Sequence, residues 1–170
     1  MSKQPHHKLY KELAWLWPVM SPPEDYADEA AAVHKLIRKH LRMTDKTARP
    51  TLLELGSGGG HMLCHLREHY EAAASDLSPA MLKLSRQLNP GVKHHRADMR
   101  TLRLKQKFDV VLIHDALGYM ATLGDLKKAL KTAAIHLRPG GLLVLLPDDL
   151  RETFSDHQTA TDVRMTDDGA

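Results

Sequence analysis

A glycine-rich turn in the first third of the chain constrains the fold more than any other feature. Residues 56–60 read Gly-Ser-Gly-Gly-Gly; they follow a short apolar run at 51–55 and precede a helix-like segment at 61–69. Glycines here allow positive φ angles and let a ligand approach the main chain, while the helix behind them presents free N–H groups to it. We therefore expect a strand, a ligand-binding turn and a helix in succession. A tight strand-to-helix turn without a ligand is the alternative.

Predicted strands and helices alternate along the rest of the chain. Strand-like runs cover 51–55, 72–76, 92–95, 108–113 and 142–146. Helix-like segments cover 24–41, 61–69, 80–88 and 123–137, with a tight turn expected at 138–141. This alternation predicts an α/β fold, a doubly wound, Rossmann-like parallel sheet of about five strands. The nearly continuous apolar character of the strands indicates a sheet covered on both faces.

The same pattern divides the chain into three parts. We expect an N-terminal helical cap at 1–48, the α/β domain at 49–150 and a polar C-terminal tail at 151–170. Cys64 is the one cysteine, so no internal disulfide can form, and residues 1–7 lack the apolar core of a signal peptide. Both features indicate a cytoplasmic protein. The longest apolar run is too short to cross a bilayer, so no membrane partner is expected.

Charge and histidine content exclude two further classes of partner. The 24 basic and 21 acidic residues give a net charge of +3 and are scattered, which predicts no nucleic-acid partner. Of the twelve histidines, His61, His65 and His69 recur at helical spacing around Cys64. They form no recognisable zinc pattern, so we expect no bound metal.

Acidic residues follow the second and third predicted strands. Asp76 lies twenty residues beyond Gly56, where a carboxylate can accept hydrogen bonds from both ribose hydroxyls of a nucleoside. The alternative is an acid at the N-terminus of the next helix. Asp98 follows the third strand and could accept a hydrogen bond from an adenine amino group, while Met99 covers the ring; a solvated loop aspartate is the alternative. Ligands of open parallel sheets bind beyond the carboxyl ends of the strands.

Four motifs now stand in a recognisable order: Glu-x-Gly-x-Gly-x-Gly at 54–60, Asp76, Ala-Asp-Met at 97–99 and Leu-Arg-Pro-Gly-Gly at 137–141. This chain resembles the class I S-adenosylmethionine-dependent methyltransferases over about 51–147. It is most similar to small-molecule methyltransferases, including those acting on sugar amines, whose N-terminal helix often carries Asp-Tyr-Ala, here at 25–27. The resemblance implies strand order 3-2-1-4-5, S-adenosyl-L-methionine as cofactor, S-adenosyl-L-homocysteine as product, and methyl transfer to N or O of a small-molecule acceptor.

The resemblance also implies the site residues. Cofactor-binding roles fall on Tyr26, Glu54, Gly56, Gly58, Gly60, Asp76, Leu77, Asp98, Met99 and His114. Tyr10 could also cover the cofactor. His114 and Asp115, at the end of the fourth strand, are the candidate catalytic residues, because an imidazole can act as a base near neutral pH. Packing of His114 on the cofactor without proton transfer is the alternative.

The family normally adds an antiparallel hairpin after strand five, and we expect this hairpin to be missing here. Three explanations are open: a fragment of a longer enzyme, a chain that pairs with itself as a homodimer or with another subunit to cover the strand-five edge, or a natural short form. The last would be a catalytically incomplete S-adenosylmethionine-binding module. An NAD-dependent oxidoreductase is a further alternative, but its Gly-x-Gly-x-x-Gly spacing is broken by His61 counted from Gly56 and by Leu63 counted from Gly58.

Overall fold

Five parallel strands form one sheet in the order β3-β2-β1-β4-β5. The computed structural model describes residues 8–43, 48–148 and 150, so the predicted tail at 151–170 lies outside the described residues. The strands are β1 Thr51–Leu55, β2 Glu71–Asp76, β3 Lys93–Arg96, β4 Phe108–His114 and β5 Leu137–Leu146. The predicted doubly wound α/β fold and its strand order are confirmed. Within the described ranges no antiparallel strand follows β5.

The helices connect these strands as the alternation predicts. They are α1 Trp17–Met20, α2 Ala27–His40, α3 His61–Leu66, α4 Pro79–Leu88 and α5 Leu123–His136. Short 3-10 turns occur at Lys8–Tyr10, Ala14–Leu16, Pro23–Tyr26 and Leu117–Tyr119. The helix expected at 24–41 therefore begins as a 3-10 turn and becomes α-helical only at Ala27. In the part of the chain that the structure describes, no helix is long and apolar enough to cross a membrane.

Side chains alternate between the two faces of the sheet. Leu52 and Leu53 are adjacent on β1 and fully buried, yet they belong to different apolar clusters because successive strand residues point to opposite faces. The cluster around Leu52 includes residues of α2 and α3, and the cluster around Leu53 includes Ala133 of α5. All seven residues of β4 are buried, as expected of a central parallel strand covered on both faces.

The predicted turn at 138–141 is wrong, because this segment is part of β5. Phe108 pairs with Leu137 and Val110 with Leu142, so the four residues 138–141 of β5 oppose the single Asp109 of β4 in an irregular stretch. Gly140 supplies a positive φ of 76°, and a Cβ on Gly141 would lie 2.9 Å from the carbonyl oxygen of Asp109. The turn-forming residues therefore bend an edge strand without ending it.

Candidate functional site

The carboxyl ends of β1, β2 and β4 meet at one edge of the sheet. The loop 56–60 leaves β1 there, and Gly56, Gly58 and Gly60 have φ angles of 78°, 51° and 78°. Residues other than glycine rarely adopt these backbone angles. The predicted strand, glycine turn and helix are thus present, although α3 ends at Leu66, three residues before the expected boundary.

The glycines of this loop meet different surroundings. A Cβ on Gly56 would lie 2.6 Å from the Cβ of Ala116 and 2.7 Å from the terminal methyl of Met99. A Cβ on Gly60 would collide with the side chains of Ser85 and Asn89. Among the described residues, no atom lies within 4 Å of a Cβ built on Gly58. Gly56 and Gly60 are therefore required by packing, whereas Gly58 borders open space.

Asp76, at the end of β2, contacts this glycine loop. Its Oδ2 accepts a hydrogen bond of 2.9 Å from the N–H of Gly58, and its Oδ1 accepts one of 2.7 Å from the N–H of Ser78, which caps α4. Burial raises the pKa of Asp76, and these hydrogen bonds oppose the rise. Leu77 follows with 61% of its surface exposed. The carboxylate thus lies both beside the loop and at the start of a helix, as the two sequence-based readings require.

Glu54 on β1 lies beneath the loop and is 2% exposed. Within the described ranges, its Oε2 and the Oγ of Ser57 have no hydrogen-bond partner. Burial, helped by the nearby charges of Asp76 and Asp115, raises the pKa of Glu54 to about 8. A buried acceptor without a donor is costly, so a ligand that brings a donor or a positive charge would stabilise this site.

His114 ends β4 and forms the opposite wall of the crevice. Its buried imidazole Nε2 lies 3.0 Å from Oε2 of Glu29 and 3.4 Å from Oδ2 of Asp115. The ring of Tyr26 packs edge-on against His114, with centroids 5.7 Å apart. The structure therefore brings the predicted site residues Tyr26, His114 and Asp115 together and adds Glu29 from the first turn of α2.

Asp115 adopts a left-handed backbone conformation, with φ at 47°, which is uncommon for residues other than glycine. Burial, opposed by His114 and helped by the nearby Asp148 and Glu29, raises the pKa of its carboxyl to about 6. A carboxyl with such a pKa is close to the range in which a general base works at neutral pH.

Asp98 follows β3 and is held by an arginine two residues further on. Its Oδ2 lies 2.6 Å from Nη2 of Arg100, and Nε of the same side chain lies 3.0 Å from both carboxylate oxygens. Hydrogen bonding to this guanidinium lowers the pKa of Asp98. Asp98 is therefore an ion-paired residue at the crevice edge and not a solvated loop aspartate.

The comparisons with known proteins agree with this geometry. Residues 53–145 match the family model described as "Methyltransferase domain". The chain belongs to the methyltransferase family. The resemblance to class I S-adenosylmethionine-dependent methyltransferases that the sequence motifs indicated is thereby confirmed.

Relatives of this methyltransferase chain include enzymes named for amino sugars. It is 35% identical over 146 residues to the dTDP-3-amino-3,4,6-trideoxy-alpha-D-glucopyranose N,N-dimethyltransferase of Streptomyces venezuelae, covering 85% of this chain and 60% of that protein. The crystal structure of Streptomyces venezuelae DesVI matches with a TM-score of 0.76 and 32% identity, over 98% of this chain and 67% of that one. The structure of SAM-bound CalS10, an amino pentose methyltransferase from Micromonospora echinaspora, matches with a TM-score of 0.73 and 31% identity. The match covers 96% of this chain and 66% of that one. The chain thus spans about three fifths of the length of the Streptomyces venezuelae N,N-dimethyltransferase.

The N-terminal segment of the methyltransferase chain crosses the mouth of the crevice. The backbone carbonyl of Tyr10 accepts a hydrogen bond from Oγ of Ser78 on the β2 side, and its hydroxyl hydrogen-bonds to that of Tyr119 on the β4 side. Trp17 packs against the Tyr10 ring at 5.7 Å between centroids. Tyr10 thus bridges the β2 and β4 sides of the crevice, and that Tyr10 and Tyr26 cover a cofactor there stays a prediction.

The three histidines that the sequence places on one predicted helix, at 61, 65 and 69, contact separate partners. His61 contacts the ring of Tyr26, Nε2 of His65 donates to the carbonyl of Pro23 at 2.8 Å, and His69 stacks on His34. In the described part of the chain, no group of three or more His, Cys, Asp or Glu side chains could hold a metal ion.

Sequence reasoning missed two residues of this site, Glu29 and Arg100. Glu29 lies three positions after Tyr26, so a helix beginning near Tyr26 places both on one face. That spacing is a signal that could have found it. Arg100 follows Asp98 by two residues, but nothing in the pattern shows which way its side chain turns.

Proposed function

We propose that this chain carries the S-adenosylmethionine-binding part of an N-methyltransferase whose acceptor is a small-molecule amine of the amino-sugar class. The observation that carries the proposal is the crevice where Asp76 contacts Gly58 above the unpartnered, buried Glu54. The named activities of the relatives support an amino-sugar acceptor.

The residues of the crevice suit an adenosyl ligand with a cationic end. The carboxylate of Asp76 would accept hydrogen bonds from ribose hydroxyls, because it lies at the end of β2 beside the glycine loop. The orphaned oxygen of Glu54 would accept from the ligand's ammonium group, which removes the cost of an unpaired buried acceptor. Exposed Leu77 and the half-buried Met99 would border the adenine, with Asp98 at its amino group.

Gly56, Gly58 and Gly60 give the loop the shape that this ligand needs. The two crowded glycines fix the turn, and Gly58 leaves room for the ligand to approach the backbone. When bound, S-adenosylmethionine supplies a methyl group on a sulfonium, which leaves as a neutral thioether. Little charge then needs stabilising, and alignment of the acceptor contributes most of the rate; well-oriented reactants gain about 7–11 kcal/mol.

His114 and Asp115, on one wall of the crevice, would remove a proton from the acceptor. An amine attacks only in its unprotonated form, so a nearby base is useful. The carboxyl of Asp115, with a pKa of about 6, is mostly ionised at pH 7 and can take a proton from an ammonium. The buried His114 would hold the acceptor side of the crevice and share that proton through its contact with Asp115.

Two measurements test the proposal. Calorimetric titration with S-adenosylmethionine should show binding, and transfer of a labelled methyl group should occur to nucleotide-linked amino sugars but not to matched sugars with a hydroxyl in place of the amine. Binding without transfer to any acceptor would support a cofactor-binding module instead. Binding of NAD in preference to S-adenosylmethionine would contradict the proposal.

A further inference from the structure

Arg100 forms a network that the proposed chemistry does not yet use. Its side chain lies between two carboxylates: Nε and Nη2 contact Asp98, and Nη1 lies 3.2 Å from Oδ2 of Asp125. The backbone N–H of Arg100 also donates to Oδ1 of Asp98 over 2.8 Å. Within the described part of the chain, Arg100 supplies the hydrogen bonds to the carboxylate of Asp98.

The arginine leaves room for one more donor on that carboxylate. A carboxylate offers about four lone-pair positions. The N–H, Nε–H and Nη2–H groups of Arg100 supply three hydrogens, with Nε–H shared between both oxygens. The side chain of Asp98 keeps 24% of its surface exposed, so a ligand can reach the remaining position.

The arginine itself is anchored to α5. Asp125 lies in the first turn of that helix, and the backbone carbonyl of Arg100 accepts a hydrogen bond of 3.0 Å from Oγ1 of Thr132, which is fully buried. The same Oγ1 accepts a hydrogen bond of 2.9 Å from Nη1 of Arg103. The loop after β3 is therefore fixed at three places, and the plane of the Asp98 carboxylate is fixed with it.

We propose that Arg100 is a positioning residue that aims Asp98 at the 6-amino group of adenine and so sets the preference for adenine over 6-oxo purines. The inference rests on the proposed adenosyl ligand. A 6-amino group donates into the free position of the carboxylate. A 6-oxo group would place an acceptor against an acceptor that cannot turn away, so the two oxygens repel each other and the ligand gains no hydrogen bond there.

The experiment compares two ligands that differ at this one group, S-adenosylhomocysteine and its inosyl analogue. Calorimetry on the wild-type chain should give an adenosyl preference of at least about tenfold. Arg100→Ala should weaken adenosyl binding by about tenfold and inosyl binding by less than twofold, so that the preference disappears. Arg100→Lys preserves the charge but cannot make the bidentate contact, so it should lose most of the adenosyl preference.

Lys128→Ala is the matched control. It removes the other cation of Asp125, 3.2 Å away, and leaves the contact between Arg100 and Asp98 intact. It should preserve the adenosyl preference. Asp98→Ala should abolish the preference, and adding Arg100→Ala to it should change nothing further, because both act through one carboxylate.

The outcomes separate this inference from the proposed function. A wild-type chain that binds neither ligand contradicts the proposed function. If it binds the adenosyl ligand, equal weakening of both ligands by Arg100→Ala, or an unchanged ratio, overturns the positioning role while the proposed function stands. Should Arg100→Ala fail to fold, the ratio measured for Arg100→Lys decides in the same way.

Discussion

The backbone N–H of Gly58 donates a hydrogen bond of 2.9 Å to Oδ2 of Asp76. This bond joins the end of β2 to the glycine loop after β1, two elements separated by α3. It sets the width of the crevice between the first two strands. It also orients the carboxylate before any ligand arrives, which lowers the cost of ordering on binding.

Asp76→Ala should weaken S-adenosylmethionine binding by 100-fold or more. The substitution removes the carboxylate that we propose accepts from two ribose hydroxyls, and hydrogen bonds to charged groups contribute roughly 1.5–3 kcal/mol each. Calorimetric titration measures the change. Asp76→Asn, which keeps one acceptor oxygen, should lose less. An unchanged affinity in Asp76→Ala would remove the ribose assignment.

Gly56→Ala and Gly58→Ala should separate folding from binding. A methyl on Gly56 collides with Ala116 and Met99, so this variant should lose several kcal/mol of unfolding free energy in urea. A methyl on Gly58 meets open space, so this variant should lose only the free energy that its positive φ costs, about 1–2 kcal/mol. Gly58→Ala should therefore stay folded yet bind S-adenosylmethionine more weakly. Equal stability losses in both variants would contradict this division.

Glu29→Ala should change the tautomer of His114. With Oε2 of Glu29 at 3.0 Å, the imidazole favours the form with its proton on Nε2. Nitrogen-15 chemical shifts of the His114 ring, assigned with a His114→Gln variant, should show a larger share of the Nδ1-protonated form once the carboxylate is gone. Asp28→Ala, an exposed neighbour on α2, is the control and should leave the shifts in place. Identical spectra for all three chains would show that Glu29 does not hold the ring.

The sequence predicts those parts of the site that depend on strand ends. Asp76 and His114 follow predicted strands, and parallel strands bring their carboxyl ends together, so their proximity follows from the alternation. Residues 138–141 are predicted to form a turn because their Pro-Gly-Gly composition is typical of one, but β4 pairs with β5 on both sides of the segment, at Leu137 and Leu142, and so keeps it within the strand. Glu29 and Arg100 could not be assigned roles, because a side chain's direction depends on packing between elements distant in sequence.

Glu54 gives the fold a pH dependence whose sign follows from its burial. Its pKa rises from 4.5 to about 8 on folding, so between these values the folded chain holds a proton that the unfolded chain has released. The contribution to stability is complete below about pH 4.5 and is lost as pH rises toward and through 8. Urea unfolding from pH 5 to 9 should show this decline, and Glu54→Gln should flatten it.

Bound S-adenosylmethionine, whose ammonium favours the ionised carboxylate of Glu54, should release a proton near pH 7. Calorimetry in buffers of different ionisation enthalpy measures this release. Binding heats independent of the buffer would contradict a contact between Glu54 and that ammonium.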